Sequence, residues 1–251
     1  MAGSLECLEA GLPAGVEGWF TTRAGGRSAV PWATLNLALH VGDDPAAVVA
    51  NRTAVARRLG GAAVAFPEQV HGAGVRVLTT RPDSTRIADP GAPGVDALVT
   101  ALPDVAIGVL VADCMPVLLA DPVARVAGAA HAGRRGLAAG VLQATLEAMA
   151  GLGADPSRID AVVGPAICGR CYEVPEAMRD EVDTAVPGTA CQTRTGTAGL
   201  NLVAGALGVL GRAGVRARAA GICTAEDARF YSYRRDGVTG RFAGVVMMTR
   251  S

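Results

Sequence analysis

Three apolar runs lie nearly back to back in the middle of the chain: VAIGVLVAD from Val105, PVLLAD from Pro116 and RVAGAAH from Arg125. Each is short, rich in Val and Ala, and bounded by Pro, Asp or Gly, the pattern of buried strands. The connections are too short for a helix, so consecutive antiparallel strands are predicted. VEGWFTT (Val16 to Thr22), RIDAVVGPAI (Arg158 to Ile167), VRARAAGI (Val215 to Ile222) and FAGVVMMT (Phe242 to Thr249) read as further strands. FPEQVHGAGVRVLTT holds two strand-like pieces around His71.

Other stretches carry a helical period. In DDPAAVVANRTAVARRLG, Asp43 or Asp44 can cap, Pro45 suits the first turn and Gly60 the end, with Val48, Arg52, Val55 and Leu59 on neighbouring faces. RRGLAAGVLQATLEAMAGLG places Leu137, Val141, Leu142, Thr145, Leu146 and Met149 on one stripe, ended by Gly151 and Gly153. VPEAMRDEVDTAV and LNLVAGALGVLGRAG complete the helices, and the Pro-rich stretch Arg81 to Gly94 reads as a surface loop. Strands and helices mix without a strict βαβ rhythm, so the expected class is α+β with a sheet core. No linker divides the chain, which predicts a single domain over residues 1–251. Neither G-x-G-x-x-G after a strand nor a Walker A sequence is present.

Composition narrows the function classes. Basic and acidic residues balance at 23 each, and no basic stripe suggests a nucleic-acid partner. All the basic residues are Arg; without Lys, a lysine Schiff base or lysine general base is excluded. The N-terminus lacks a basic region followed by an apolar one, and no apolar run approaches the ~20 residues that span a bilayer. The six scattered cysteines then suggest a reduced cytoplasmic protein with free thiols.

The candidate chemistry is sparse. There are three histidines: His40, His71 and His131. His71, in QVHG, His131, in AAHAG, and Cys114, in VADC, each stand at the expected end of a strand, and three such ends can converge on one rim of a sheet. Two imidazoles and a thiolate make a zinc triad with a fourth position left open. Taken singly, Cys114 reads equally as a small buried hydrophobe and each histidine as a structural residue. Cys168 and Cys171 form a C-x-x-C, but no second C-x-x-C completes a structural zinc site; a redox pair is the other reading. Arg134 and Arg135 open a helix after His131 and suit a phosphate, with Arg23, Arg52, Arg234 and Arg235 as further candidates.

In order along the chain, FTTRAGG, LNLALHVGDDP, QVHG, DALVT, ADCMPVLLADP, AAHAGRRGLAAGV, GPAICGRCYEV and FYSYRRDGVTGRFAG resemble the laccase-domain family. Its members were first called multicopper polyphenol oxidases and are now described as purine nucleoside phosphorylases. The resemblance implies a layered α/β/β/α-type sandwich, similar in architecture to a group of cysteine hydrolases. It implies zinc on His71, Cys114 and His131, which would also be the catalytic residues. Asn36 and Arg52 would line the same pocket, and Arg135 joins them as a substrate-binding candidate. The implied activities are phosphorolysis of adenosine, inosine, guanosine and methylthioadenosine, and deamination of adenosine. The family's usual HAGWRG is HAGRRG here, with Arg134 in place of Trp, and its usual GPCCYEV is CGRCYEV, with only Cys171 keeping the common cysteine.

Three histidines cannot hold a four-copper laccase centre, which needs many imidazole ligands. A single copper is the alternative occupant of the same nitrogen and sulfur donors, giving a single-copper polyphenol oxidase as one competing reading. A metal-free cysteine hydrolase, with Cys114 as nucleophile and a histidine as base, is the other. Asp113 and His40 are the candidates for a general acid.

Overall fold

The computed structural model describes residues 5–62, 64–81 and 94–250. Its strands form two stacked sheets with helices on both outer faces. The first sheet runs in the order β1 (Cys7–Glu9), β2 (Val16–Thr21), β13 (Phe242–Met248), β6 (Ala106–Val111), β3 (Val64–Ala65). The second runs β12 (Arg216–Ala219), β9 (Asp160–Val163), β7 (Met115–Asp121), β8 (Val126–Ala132), β5 (Ala97–Thr100), β4 (Val75–Leu78). A small hairpin pairs β10 (Ala190–Gln192) with β11 (Ala198–Leu200).

The two-residue period of a strand sorts side chains into layers. On β7, Leu118 and Ala120 point between the sheets, where they meet Phe20, Ile107, Val109 and Val246 of the first sheet. Val117 and Leu119 point outward onto α3 (Val141–Ala150) and α5 (Leu202–Arg212). On β13, Val245 and Met247 face the opposite outer layer, built on Val55 and Leu59 around α1 (Pro45–Arg58). Strands buried on both faces need no polar positions, which is why they read as continuous apolar runs. The expected α/β/β/α sandwich is therefore the observed one.

Local signals set the helices. Asp44, not Asp43, caps α1: its side chain accepts from the Ala46 N–H, while Asp43 accepts from the Asp44 N–H and from Asn36. The long helix expected from Arg134 is broken into α2 (Arg134–Ala138) and α3, because Gly140 takes a left-handed φ of 89° between them. The apolar stripe from Leu137 to Met149 is nonetheless buried throughout. Helix α4 (Glu176–Ala185) and the short α6 (Tyr233–Asp236) complete the set among the described residues.

One expectation fails. The three central runs are not consecutive neighbours of one sheet. Strands β7 and β8 form the antiparallel hairpin, with Val117 opposite Ala130, but β6 pairs with β13 and β3 in the other sheet. Residues Ala112 to Cys114 carry the chain from one sheet to the other, and Asp113 takes a left-handed φ of 84° to do so. Strands β1, β3, β5, β10 and β11 lie outside the expected set, and the Arg81 to Gly94 loop lies, apart from its ends, outside the described residues.

Candidate metal and substrate site

The inter-sheet crossing delivers Cys114 to the place where the other two predicted ligands arrive. His131 lies on β8 opposite Pro116, two residues beyond Cys114. His71 stands in the loop that leads into β4, rather than at a strand exit, with a left-handed φ of 61°. One donor atom from each of the three residues lies within 4.8 Å of the others. The imidazole rings meet edge to face, 4.7 Å between centroids.

A buried carboxylate organises this arrangement. Asp96, fully buried, accepts from the backbone N–H groups of His71 at 2.9 Å and Gly72 at 2.6 Å, and binds His131 Nδ1 at 2.7 Å. It therefore holds the loop carrying one histidine and the ring of the other. With Nδ1 on Asp96, Nε2 of His131 is left toward Cys114, the usual way a carboxylate orients a metal-binding imidazole. Gln69 fixes the same loop to β6 by donating to the Leu110 carbonyl and accepting from its N–H, both at 2.8 Å. Burial raises the Asp96 pKa, but the His131 contact and the Gly72 and His71 N–H groups outweigh it and lower the pKa below the ordinary carboxylate value.

The thiol and imidazole polarise each other. Burial raises the Cys114 pKa, but the charge and hydrogen bond of His131, with help from His71, bring it down to about 6. Burial lowers the His131 pKa, and the Cys114 thiolate and Asp96 lift it to about 9. The donor set suits a soft, borderline cation: two imidazoles, an easily ionised thiol and no fourth protein ligand among the described residues of the cluster. Gly133 completes the floor. A Cβ placed there would lie 2.9 Å from Cys114 Sγ and 3.2 Å from His71 Cδ2.

Above His71, Cys114 and His131 opens a cavity of about 430 Å³, within the range of small-molecule sites. Leu110, Val111, Ala112, Ile167 and Leu202 give it apolar walls, Tyr172 and Tyr233 aromatic ones, and Arg134, Arg234 and Arg241 positive charge. The Arg234 guanidinium lies 5.3 Å over the Tyr172 ring. Among the described residues, Arg134 has no ion-pair partner, so its guanidinium is available to a ligand. His40 also lines the cavity; partial burial, with Arg241 and Arg52 nearby, lowers its pKa.

A family model described as multi-copper polyphenol oxidoreductase laccase matches residues 17–249. The chain belongs to this laccase family. It is 55% identical over 232 residues to a Streptomyces griseus protein named purine nucleoside phosphorylase, spanning 91% of this chain and 93% of that one. A Mycobacterium tuberculosis protein of the same name is 48% identical over 231 residues, 91% and 90% of the two chains. The crystal structure of YlmD from Geobacillus stearothermophilus matches with a TM-score of 0.87 at 34% identity, over 100% of this chain and 98% of that one. That of NMB0706 from Neisseria meningitidis gives 0.85 at 37%, over 99% and 100%.

The laccase family's description names several coppers, yet this site gathers only two of the chain's three histidines. The other predicted residues take varied places. Asn36 and Arg52 are buried behind the cavity wall. Asn36 accepts from the Arg241 N–H and donates to Asp43; Arg52 donates to the Leu37 carbonyl and lies 5.2 Å over the Phe66 ring. Burial lowers the Arg52 pKa to about 10. Arg135 is exposed on α2, one residue after the cavity-lining Arg134. Arg235 is tied to the Thr224 carbonyl and Asp236, and Arg23 to the Ala33 carbonyl. Asp113 lines the cavity with both carboxylate oxygens engaged, by the Thr224 hydroxyl and the Arg234 N–H, each at 2.7 Å. Asp96 is the residue that sequence reasoning missed; its one signal was a charge directly before the apolar strand ALVT.

Proposed function

We propose that the chain is a zinc-dependent purine nucleoside phosphorylase acting on adenosine, inosine, guanosine and methylthioadenosine, and that it also deaminates adenosine. The observation that carries this reading is the combination of a His-Cys-His floor with aromatic walls and three arginines in a cavity of nucleoside size. The names of the relatives support it. His71, Cys114 and His131 would hold the ion, which when bound supplies Lewis acidity and a water of pKa near ~7.

The residues of the chain divide the remaining work. Tyr172, Tyr233 and the apolar walls stack the purine. Arg134, Arg234 and Arg241 hold phosphate against C1′ of the ribose, and Arg135 adds positive charge beside them. Phosphate oxygen bonds to C1′, the glycosidic C–N bond breaks, and its electron pair leaves with the purine, which takes up a proton. His40, on the cavity wall, is placed to relay that proton from water through its two ring nitrogens. Asp113, with both oxygens engaged, positions the Arg234 turn. Asn36 and Arg52 act from behind, holding the segments that carry Arg241 and His40. In deamination, water adds at C6 of the purine and ammonia leaves. We place the activity in a reducing cytoplasm, consistent with six free cysteines.

The test is adenosine incubated with and without phosphate, with products identified by mass spectrometry. Wild type should release adenine and ribose 1-phosphate only with phosphate, and inosine without it; Cys114→Ala should do neither. Undiminished turnover by metal-free Cys114→Ala would falsify the reading.

A second reading has its own observation: Cys114, His131 and Asp96 form a thiol–imidazole–carboxylate line, as a cysteine hydrolase requires. His71 against the same sulfur favours the metal, because a nucleophile needs no second imidazole. Stoichiometric zinc in the purified protein argues for the first reading, and covalent trapping of Cys114 by an alkylating substrate analogue for the second.

A further inference from the structure

The C-x-x-C that lacked a partner in the sequence finds one in the fold. Cys168 and Cys171 stand on a tight turn in which the Cys171 and Tyr172 N–H groups both donate to the Cys168 carbonyl at 3.0 Å. Facing them, Cys223 and Glu226 stand on a second turn of the same span, closed by the Glu226 N–H on the Cys223 carbonyl at 3.1 Å. The turns are joined by a parallel bridge between Ala166 and Cys223. One donor atom from each of the four side chains lies within 4.8 Å of every other. We propose that Cys168, Cys171, Cys223 and Glu226 form a second, structural site for a thiophilic divalent cation, zinc in the first instance, that staples the two loops together.

Four observations converge on this assignment. Tetrahedral zinc with sulfur at about 2.3 Å needs donors about 3.8 Å apart, so the cluster is nearly of the right size. Cys171 Sγ is already 3.3 Å from Glu226 Oε1. The Cys168 N–H points at Cys223 Sγ, 3.4 Å away, which fixes that sulfur against the facing turn. Three thiolates and a carboxylate carry four negative charges; a divalent ion cancels two, and the Arg194 guanidinium contacts the Glu226 carboxylate. A Cys168–Cys171 disulfide would use two of the sulfurs and leave the convergence of Cys223 and Glu226 without a cause.

The staple has a function because of what its turns carry. Ile167 and Tyr172, directly flanking the C-x-x-C, line the cavity. Thr224, next to Cys223, donates to Asp113, and the Ile167 N–H donates to the Asp113 carbonyl at 3.0 Å. The ion would therefore fix the cavity wall opposite the His-Cys-His floor without touching substrate. This assignment does not depend on what the first site catalyses.

The experiment counts metal in full-length protein. Zinc by plasma mass spectrometry is expected at about two ions per chain in wild type, one in Cys114→Ala and one in Cys168→Ser/Cys223→Ser. Cobalt-loaded Cys114→Ala should keep strong sulfur-to-cobalt charge-transfer bands, and the double variant should lose most of them. Glu226→Gln keeps every thiol and guards against a folding failure; it should weaken retention of the second ion roughly tenfold or more. A single wild-type ion lost in Cys168→Ser/Cys223→Ser but kept in Cys114→Ala supports the second site while overturning the metal reading of the first. An ion count unchanged by Cys168→Ser/Cys223→Ser, or a Cys168–Cys171 disulfide in alkylated, unreduced protein, overturns the second site.

Discussion

The two clusters of candidate metal donors in this molecule are built in opposite ways. The His71, Cys114 and His131 donors come from a loop, an inter-sheet crossing and a buried strand, and a fully buried carboxylate binds two of the three segments. The second cluster needs only two short turns, each supplying two donors three residues apart, near the surface. The first opens into a cavity; none of the four residues of the second is among the described residues lining it. Three donors in front of a cavity leave room for a substrate, whereas four donors without one leave none. The difference lies in how each site is enclosed: both rely on cysteine sulfur.

That contrast can be broken most sharply at the sulfurs. Cys114→Ala should reduce phosphate-dependent base release by at least ~1,000-fold, as removal of a central catalytic group does, with little change in melting temperature. Cys168→Ser/Cys223→Ser should do the reverse: a lower melting temperature by calorimetry, a raised KM through the loosened Tyr172 wall, and a smaller change in kcat. Equal loss of kcat in both would show that the clusters do not divide into reactive and structural sites.

The carboxylate comes next. In Asp96→Asn the amide NH₂ must replace either Oδ1, which meets the His71 N–H and His131 Nδ1, or Oδ2, which meets the Val70 and Gly72 N–H groups, so at least one backbone donor loses its partner, at about 1–3 kcal/mol. His131 also loses its charged orienting group. Metal affinity and activity should fall together by roughly 10- to 100-fold. A change confined to stability would make Asp96 a scaffold residue only.

How much of this was legible in the sequence follows from the same contrast. The strand runs, the capped helix α1 and the stripe from Leu137 to Met149 depend on local periodicity, and they were readable. So was the convergence of His71, Cys114 and His131, through their place at the edges of apolar runs and through the family resemblance. Pairing was not. Whether β6 joins β7 or β13 depends on a three-residue crossing whose direction is set by packing between sheets. Asp96 was hidden because its partners lie on both sides of it, at His71 and His131. Cys223 and Glu226 were hidden because the second half of the cluster is C-x-x-E, and a search for C-x-x-C passes over it.

A gentler probe leaves every ligand in place. Gly133 has φ −78° and ψ 172°, which alanine adopts freely, so Gly133→Ala carries no backbone penalty. Its Cβ would press on Cys114 Sγ from 2.9 Å. Overpacking of this kind costs about 1–3 kcal/mol. It should appear as a melting temperature lower by a few degrees together with roughly a tenfold weaker metal site, read by competition with a chromogenic chelator. The mutation cannot reach the second cluster, so loss of both ions would break the independence of the two sites.

The smallest effects separate two adjacent arginines on the cavity side. Arg134 lines the cavity and has no ion-pair partner among the described residues, whereas Arg135 is exposed on the next position of α2. A guanidinium bonding phosphate directly contributes a charge-assisted hydrogen bond, about 1.5–3 kcal/mol, so Arg134→Ala should raise the KM for phosphate roughly 10- to 100-fold with nucleoside KM little altered. Arg135→Ala removes only a solvated charge, and its effect should stay within about twofold and shrink further as salt is added. If Arg135→Ala instead gives the larger KM shift, phosphate enters over the exposed face of α2 and Arg134 serves the purine end of the cavity, where the family's usual residue is Trp. Phosphate and nucleoside KM values measured for both variants at two salt concentrations decide between these orientations.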